Sequence, residues 1–225
     1  MLNKIKHALK KLSSWKPSFD PSKFDDEMAL KTEWEPLKRG GTNFQTHKLV
    51  EVNYMRIEFR STMGAKLFSL IFFTIGVGMP IIFGREMLHE VVDIYQSDFI
   101  FIILFGLIFA TVGGWLFYSF SKPVIFDKTL GFYWKGWKKP KRYMAKMEEE
   151  ISSRIGKIYA LQIIPELVRS DNKRYVSYEL NLVLRDGSRM NVVDHGSPVK
   201  IRDDAKKLAE FLDVPFGMQV WNNQL

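Results

Sequence analysis

The chain has 225 residues, a formal net charge of +8 and no cysteine. No disulfide framework, thiolate nucleophile or Cys-ligated metal centre can form, which accords with a reducing compartment. The mean hydropathy of −0.12 is that of a soluble protein, but it averages polar flanks with two charge-free apolar segments.

In residues 2–15, LNKIKHALKKLSSW, Leu2, Ile5, Leu9 and Leu12 recur at helical spacing, with Lys4, Lys6, Lys10 and Lys11 mostly opposite. This pattern predicts a basic amphipathic helix, lying either on an anionic membrane surface or docked on the folded domain. No continuous apolar run follows, so it does not read as a signal peptide. Pro17, Pro21, Pro36 and Gly40-Gly41 predict an irregular linker, and residues 1–43 form a first region. Residues 44–62 lead toward the first apolar segment. Within them Val50, Val52 and Tyr54 alternate with polar neighbours, which predicts a strand in the earlier part and helix from about Arg60.

Residues 63–121 read as a transmembrane hairpin. Its apolar runs are 67–83 and 99–120, and neither contains a charged residue. At 1.5 Å per residue they extend about 26 Å and about 33 Å, against a hydrocarbon core of about 30 Å. Lys66 can extend the shorter one by snorkelling. The connecting loop carries Arg85 against Glu86, Glu90, Asp93 and Asp98, and every other basic residue lies in the flanks. By the positive-inside rule both termini are expected in the cytoplasm, giving a multi-pass protein of a bacterial inner membrane. Gly106, Ala110 and Gly114 are small residues at helical spacing, a ridge that permits close helix packing. Its partner is either the first segment, with Gly76, Gly78 and Pro80, or another protein, including a second copy of this chain. No ionisable residue lies inside either run, which argues against a transporter, proton relay or channel.

Residues 122–225 carry the punctuation of an antiparallel sheet. PVIFDKTLGFYWKGW predicts strand, turn and strand, with Gly131 suited to a positive φ. A short helix is expected around 141–150, then a strand in IGKIYALQIIPE. Asp171-Asn172 marks a turn. RYVSYELNLVLRDGSRMNVV predicts a hairpin closed at Asp186-Gly187, with Val176, Tyr178, Leu180, Leu182 and Leu184 buried. Ser177, Glu179, Asn181 and Val183 fall on the opposite, mostly wet face. Ile201, Ala205, Leu208, Ala209 and Leu212 predict an amphipathic helix over about 198–213, with Pro215 just beyond it. The fold class is α+β: a two-helix membrane hairpin and a small antiparallel sheet or barrel with a C-terminal helix.

Together PVIFDKTLGFYWKG, IYALQII, YELNLVLRDGSRMNVV and the helix ending LAEFLDVP resemble the bacterial PH-like (pleckstrin-homology-like) membrane proteins. In these a short membrane hairpin precedes a small β-barrel closed by a C-terminal helix. The resemblance covers the C-terminal region and the hairpin, and implies a cytoplasmic PH-like domain without a fixed catalytic set. This chain departs from the pattern in its long N-terminal region, which leaves open whether 44–60 supplies a strand to the domain.

The run 133–146 interleaves aromatic and basic side chains: Trp134, Lys135, Trp137, Lys138, Lys139, Lys141, Arg142 and Lys146. Tryptophan at the interface and lysine over phosphates would suit an anionic phospholipid surface, while the same run also reads as a solvated loop that enforces topology. Nothing besides charge points to nucleic acid, which is not expected as a partner. Asp194-His195-Gly196-Ser197 reads as a turn with Ser197 capping the helix, since adjacent residues do not align as a catalytic triad. The dispersed histidines offer no metal-ligand spacing, and no cofactor motif is present. The expectation is a non-enzymatic, membrane-tethered module that binds a protein partner at the anionic membrane surface. An immunity protein against a membrane-acting toxin and a subunit of a larger membrane complex are the alternatives.

Overall fold

A computed structural model describes residues 19–89, 96–140, 151–170 and 173–219. The expected amphipathic helix at 2–15, the helix around 141–150 and the turn at Asp171-Asn172 lie outside the described residues. The chain enters through a 3-10 turn, Pro21–Phe24, and a short helix α1, Glu27–Lys31. Asp26 caps α1 by accepting from the amides of Met28 and Ala29.

Residues 44–62 form two strands, β1 (His47–Asn53) and β2 (Arg56–Ser61), where one strand running into helix was expected. The turn between them is set by Asn53, whose side-chain oxygen accepts from the Met55 amide at 2.9 Å and folds the chain back. Tyr54 sits at its tip, 88% exposed. Helix α2 (Met63–His89) follows β2 at once, with the Thr62 hydroxyl accepting from the Ala65 amide at its start. Helix α3 (Gln96–Ser121) returns, and β3 (Val124–Asp127) then pairs antiparallel with β2. The two helices are thus inserted between neighbouring strands of one sheet. That sheet has the order β1-β2-β3-β4-β5, with β4 at Phe132–Lys135 and β5 at Ser152–Arg154. The question left open for residues 44–60 is answered by this pairing: they supply two strands to the sheet.

The second sheet has the order β8-β7-β6-β9. Its strands are β6 (Ile158–Ser170), β7 (Lys173–Leu184), β8 (Arg189–His195) and β9 (Phe216–Met218). Strand β9, which the sequence pattern does not announce, runs parallel to β6. Gly131 and Gly187 take φ of 74° and 85°, the left-handed conformation their turns require. Helix α4 (Pro198–Leu212) matches its expected span, with Ser197 as the cap, and buries Ile201, Ala205, Leu208, Ala209 and Leu212.

The strands form two open sheets with a common core. Ile57, Phe59, Phe126 and Tyr133 from the first meet Leu161, Ile163, Leu180 and Leu182 from the second, and α4 adds its apolar stripe. Each fully buried Ile, Leu or Phe contributes about 1.5–3 kcal/mol. Helices α2 and α3 are long and apolar enough to cross a membrane, with mean hydropathy of 2.1 and 2.4 over Met63–Arg85 and Ile100–Ser121. Of their most apolar windows, 17% and 11% is buried, so the other described residues do not cover them.

Candidate functional site

The ladder places the basic–aromatic run beside the helix ends. Val124, three residues beyond Ser121, lies opposite Lys135, and the Gly136 amide donates to the Pro123 carbonyl at 2.7 Å. Gly136 adopts φ 99° to turn the chain there. Trp137, 62% exposed, and Lys138 and Lys139, also exposed, therefore project from the end of the first sheet where α2 and α3 attach. Lys122 shares this rim, its ammonium 4.7 Å from the Tyr118 ring centroid. His47 makes a 3.1 Å hydrogen bond through Nε2 to the Lys122 carbonyl oxygen, and burial holds its imidazole below the usual value.

Two of the expected surface residues do not belong to the rim. Trp134 is 2% exposed, on the outer face of the first sheet beneath the Arg56 guanidinium, 5.8 Å away. Lys135 donates to the Asn191 side chain at 2.9 Å, and burial lowers its pKa to about 8. The physical reason is the pleat. Trp134 and Lys135 are still in strand β4, where successive side chains point to opposite faces, and a linear reading of charge overlooks this. Lys141, Arg142 and Lys146 lie outside the described residues.

A second surface was not expected. Residues 33–44, of which 33–43 were expected as linker, run as a strap across the outer face of the second sheet. The Glu179 carboxylate accepts from the Leu37 amide at 2.8 Å, and Glu166 accepts from the Gly40 and Gly41 amides at 3.0 and 3.1 Å. Tyr175 donates to the Gly41 carbonyl, Gln162 to that of Glu33 and Arg189 to that of Glu35. Side chains of the sheet thus take up strap main-chain groups that burial would otherwise leave unpaired. A Cβ at Gly41 would overlap the Ser177 side chain, so glycine sets the closeness of the approach.

This strap overturns the expected wet face. Ser177, Glu179, Asn181 and Val183 are all buried, while Val176 and Tyr178 of the expected core row are only half-buried. Beneath the strap, Asn191 donates to Glu179 at 3.3 Å and to Asp194 at 2.9 Å. Burial raises the pKa of both carboxyls, aided at Glu179 by the charge of Asp194. At its far end the strap meets the helices: the Phe44 ring lies 5.9 Å from Phe68 and 6.2 Å from Phe120.

His195 accepts through Nδ1 from the Ser197 amide at 2.9 Å, and the Asp194 carboxylate is engaged by Asn191. Asp194, His195 and Ser197 thus form no nucleophile–base–orienter chain. Between α2 and α3, a Cβ at Gly76 would overlap the Ala110 backbone, one at Gly106 the Pro80 ring, and one at Gly113 the Phe73 backbone. Gly106 and Ala110 are therefore at the contact between the two helices, whereas Gly114 faces open space and Gly113 takes its place. Because 3.6 residues make a turn, a strict four-residue spacing drifts off a fixed contact line, and a step of three returns to it. Compared with known proteins, the chain matches no family model, no curated protein and no solved structure.

Proposed function

We propose that this protein is a membrane-tethered, non-enzymatic interaction module of the PH-like kind. In this reading α2 and α3 cross a bacterial inner membrane, both termini are cytoplasmic, and the β domain binds a protein partner at the anionic membrane surface. The observation that carries it is the insertion of the hairpin between paired strands. Only Thr62 separates β2 from α2, and Lys122-Pro123 separates α3 from β3. A domain joined to two membrane helices by such short links stands at a fixed height and orientation on the bilayer. Trp137, Lys138 and Lys139 then fall at headgroup level, where each basic residue is worth about 1 kcal/mol near anionic lipid. The concentration of basic residues in the flanks supports the orientation.

Affinity capture of the full chain from solubilised membranes, read by mass spectrometry, tests the module. A partner recovered in reproducible stoichiometry supports it, and a Lys138→Glu/Lys139→Glu variant shows whether the rim serves the partner or the lipid. A chain that captures no partner, shows no preference for anionic lipid and turns over a substrate would overturn the reading. Reporter fusions to the C-terminus that are active only outside the cytoplasm would overturn the orientation.

A further inference from the structure

The end of the first sheet that joins the helices gathers basic residues from four separate stretches. Residues 44–48, 59–66, 116–126 and 133–140 contain no Asp or Glu, and to the surface they contribute Lys48, Arg60, Lys66, Lys122, Lys138 and Lys139. Lys122, Lys138 and Lys139 lie on the β3–β4 side of the sheet. Lys48 and Arg60 lie on the β1–β2 side, and neither belongs to the basic run at 133–146.

Lys48 and Arg60 are direct partners in the β1–β2 ladder. Phe59 is fully buried in the core, so Arg60 points to the outer face, and Lys48 shares that face through the register. Directly opposed side chains have Cβ atoms about 4.5–5.5 Å apart, and like charges so placed repel. The neighbouring carboxylate does not relieve Lys48. Glu58 Oε1 accepts from Arg56 Nε and Glu58 Oε2 from Arg60 Nε, both at 2.6 Å. Among the described residues no ion pair reaches the exposed Lys48, and none engages the terminal guanidinium nitrogens of Arg60.

Arg60 precedes the start of α2 by three residues, about 10 Å of extended chain. The headgroup layer extends about 5–8 Å beyond the hydrocarbon core, within reach of long basic side chains that snorkel toward it. The approach to β1 runs beside this entry: the Thr62 hydroxyl donates to the Gln45 carbonyl at 2.7 Å, and the Phe44 ring lies against Phe68 and Phe120.

We propose that Lys48 and Arg60 form a second lipid site, across the helix pair from Trp137, Lys138 and Lys139, that holds the phosphodiester of an anionic phospholipid. The phosphate lies between the two cations and accepts from the planar fork of Arg60. A zwitterionic headgroup would bring a further cation to this pair. The inference rests on the reading that α2 and α3 cross a membrane, and not on a protein partner.

The test is photo-cross-linking of the full chain in phosphatidylcholine nanodiscs, with cross-linked peptides mapped by mass spectrometry. The probes are phosphatidylglycerol and phosphatidylcholine, each carrying a diazirine at the top of one acyl chain. Phosphatidylglycerol is expected to label residues 44–48 and 59–66 as well as 137–139, and phosphatidylcholine to label them less. Lys48→Gln should reduce labelling on the β1–β2 side about fivefold and spare 137–139. Lys138→Gln/Lys139→Gln should do the reverse. Lys48→Gln/Arg60→Gln should abolish the preference on the β1–β2 side; should it fail to fold because Glu58 loses a partner, Lys48→Gln alone decides. Equal labelling by the two probes, labelling unchanged by Lys48→Gln, or competition by added inorganic phosphate would each overturn the proposal and leave the membrane-spanning reading intact. A chain that does not enter nanodiscs would overturn both.

Discussion

Between α2 and α3 the contact is made by Gly76, Gly106, Ala110 and Gly113, and large side chains such as Leu70, Ile81, Leu104 and Trp115 are exposed. In the β domain the arrangement is inverted, with Phe59, Phe126, Leu180 and Leu182 fully buried. The domain is held by removing apolar area from water, a force that needs bulk inside. The hairpin turns its bulk outward, so its helices associate through close backbone approach and dispersion, the mode suited to apolar surroundings. One chain therefore follows two packing rules, and the strands β2 and β3 are where one gives way to the other.

The largest expected effect comes from placing a charge where the domain's rule is strictest. Leu180→Asp buries an unpaired carboxylate and should cost several kcal/mol, abolishing the cooperative thermal melt of the domain. A retained melt would mean that Leu180 does not lie at the centre of the shared core. Gly106→Leu should cost about 1–3 kcal/mol by overpacking against Pro80 and the Gly76 carbonyl. It should lower cross-linking between cysteines introduced on the two helices, with the domain melt little changed. Gly114→Leu should leave cross-linking at the wild-type level, and equal loss in both variants would remove the distinction between their positions.

A smaller effect is expected at the strap, which follows neither rule because it is held by side-chain-to-main-chain hydrogen bonds. Tyr175→Phe removes the bond to the Gly41 carbonyl and should cost about 1 kcal/mol. Hydrogen exchange should then speed up at Gly40 and Gly41 but not in β7. Acceleration throughout β7 would show that the strap and the core open together.

The smallest effect in the unaltered chain is a pH dependence, because opposing contributions offset each other. Burial lowers the His195 pKa from 6.5 to about 4, so between these values the unfolded state binds more protons and stability rises with pH. Burial raises Asp204 from 3.8 to about 6, so over that range the folded state binds more protons and stability falls as pH rises. The two slopes oppose each other in nearly one window. Relative to the wild type, Asp204→Asn should tilt the profile toward a rise in melting temperature between pH 4 and 6, and His195→Gln should tilt it toward a fall. Profiles unchanged from the wild type in both variants would count against the burial of these groups.

The rim shows how far linear reading extends. Trp137, Lys138 and Lys139 were identifiable because the glycine before them ends a strand and frees them to solvent. Trp134 and Lys135 have the same composition but belong to the pleat, which sends one under Arg56 and the other toward Asn191. Phe24 and Trp34 come from a segment with no periodicity and meet Gly217 only in the folded chain, so their packing had no sequence signal.

By itself the sequence determined the two apolar helices, the turn glycines, the core-facing Leu180, Leu182 and Leu184 of β7 and the buried face of α4. Each of these is written in local periodicity, which records where a residue meets an apolar neighbour. Only the tertiary structure decided that β2 pairs with β3 across the whole hairpin, that residues 33–44 bury the polar face of β7, and that Gly113 rather than Gly114 meets the facing helix. These depend on which distant segment supplies the neighbour. A carboxylate satisfied by a strap amide, such as Glu179 with Leu37, looks in sequence like a carboxylate facing water.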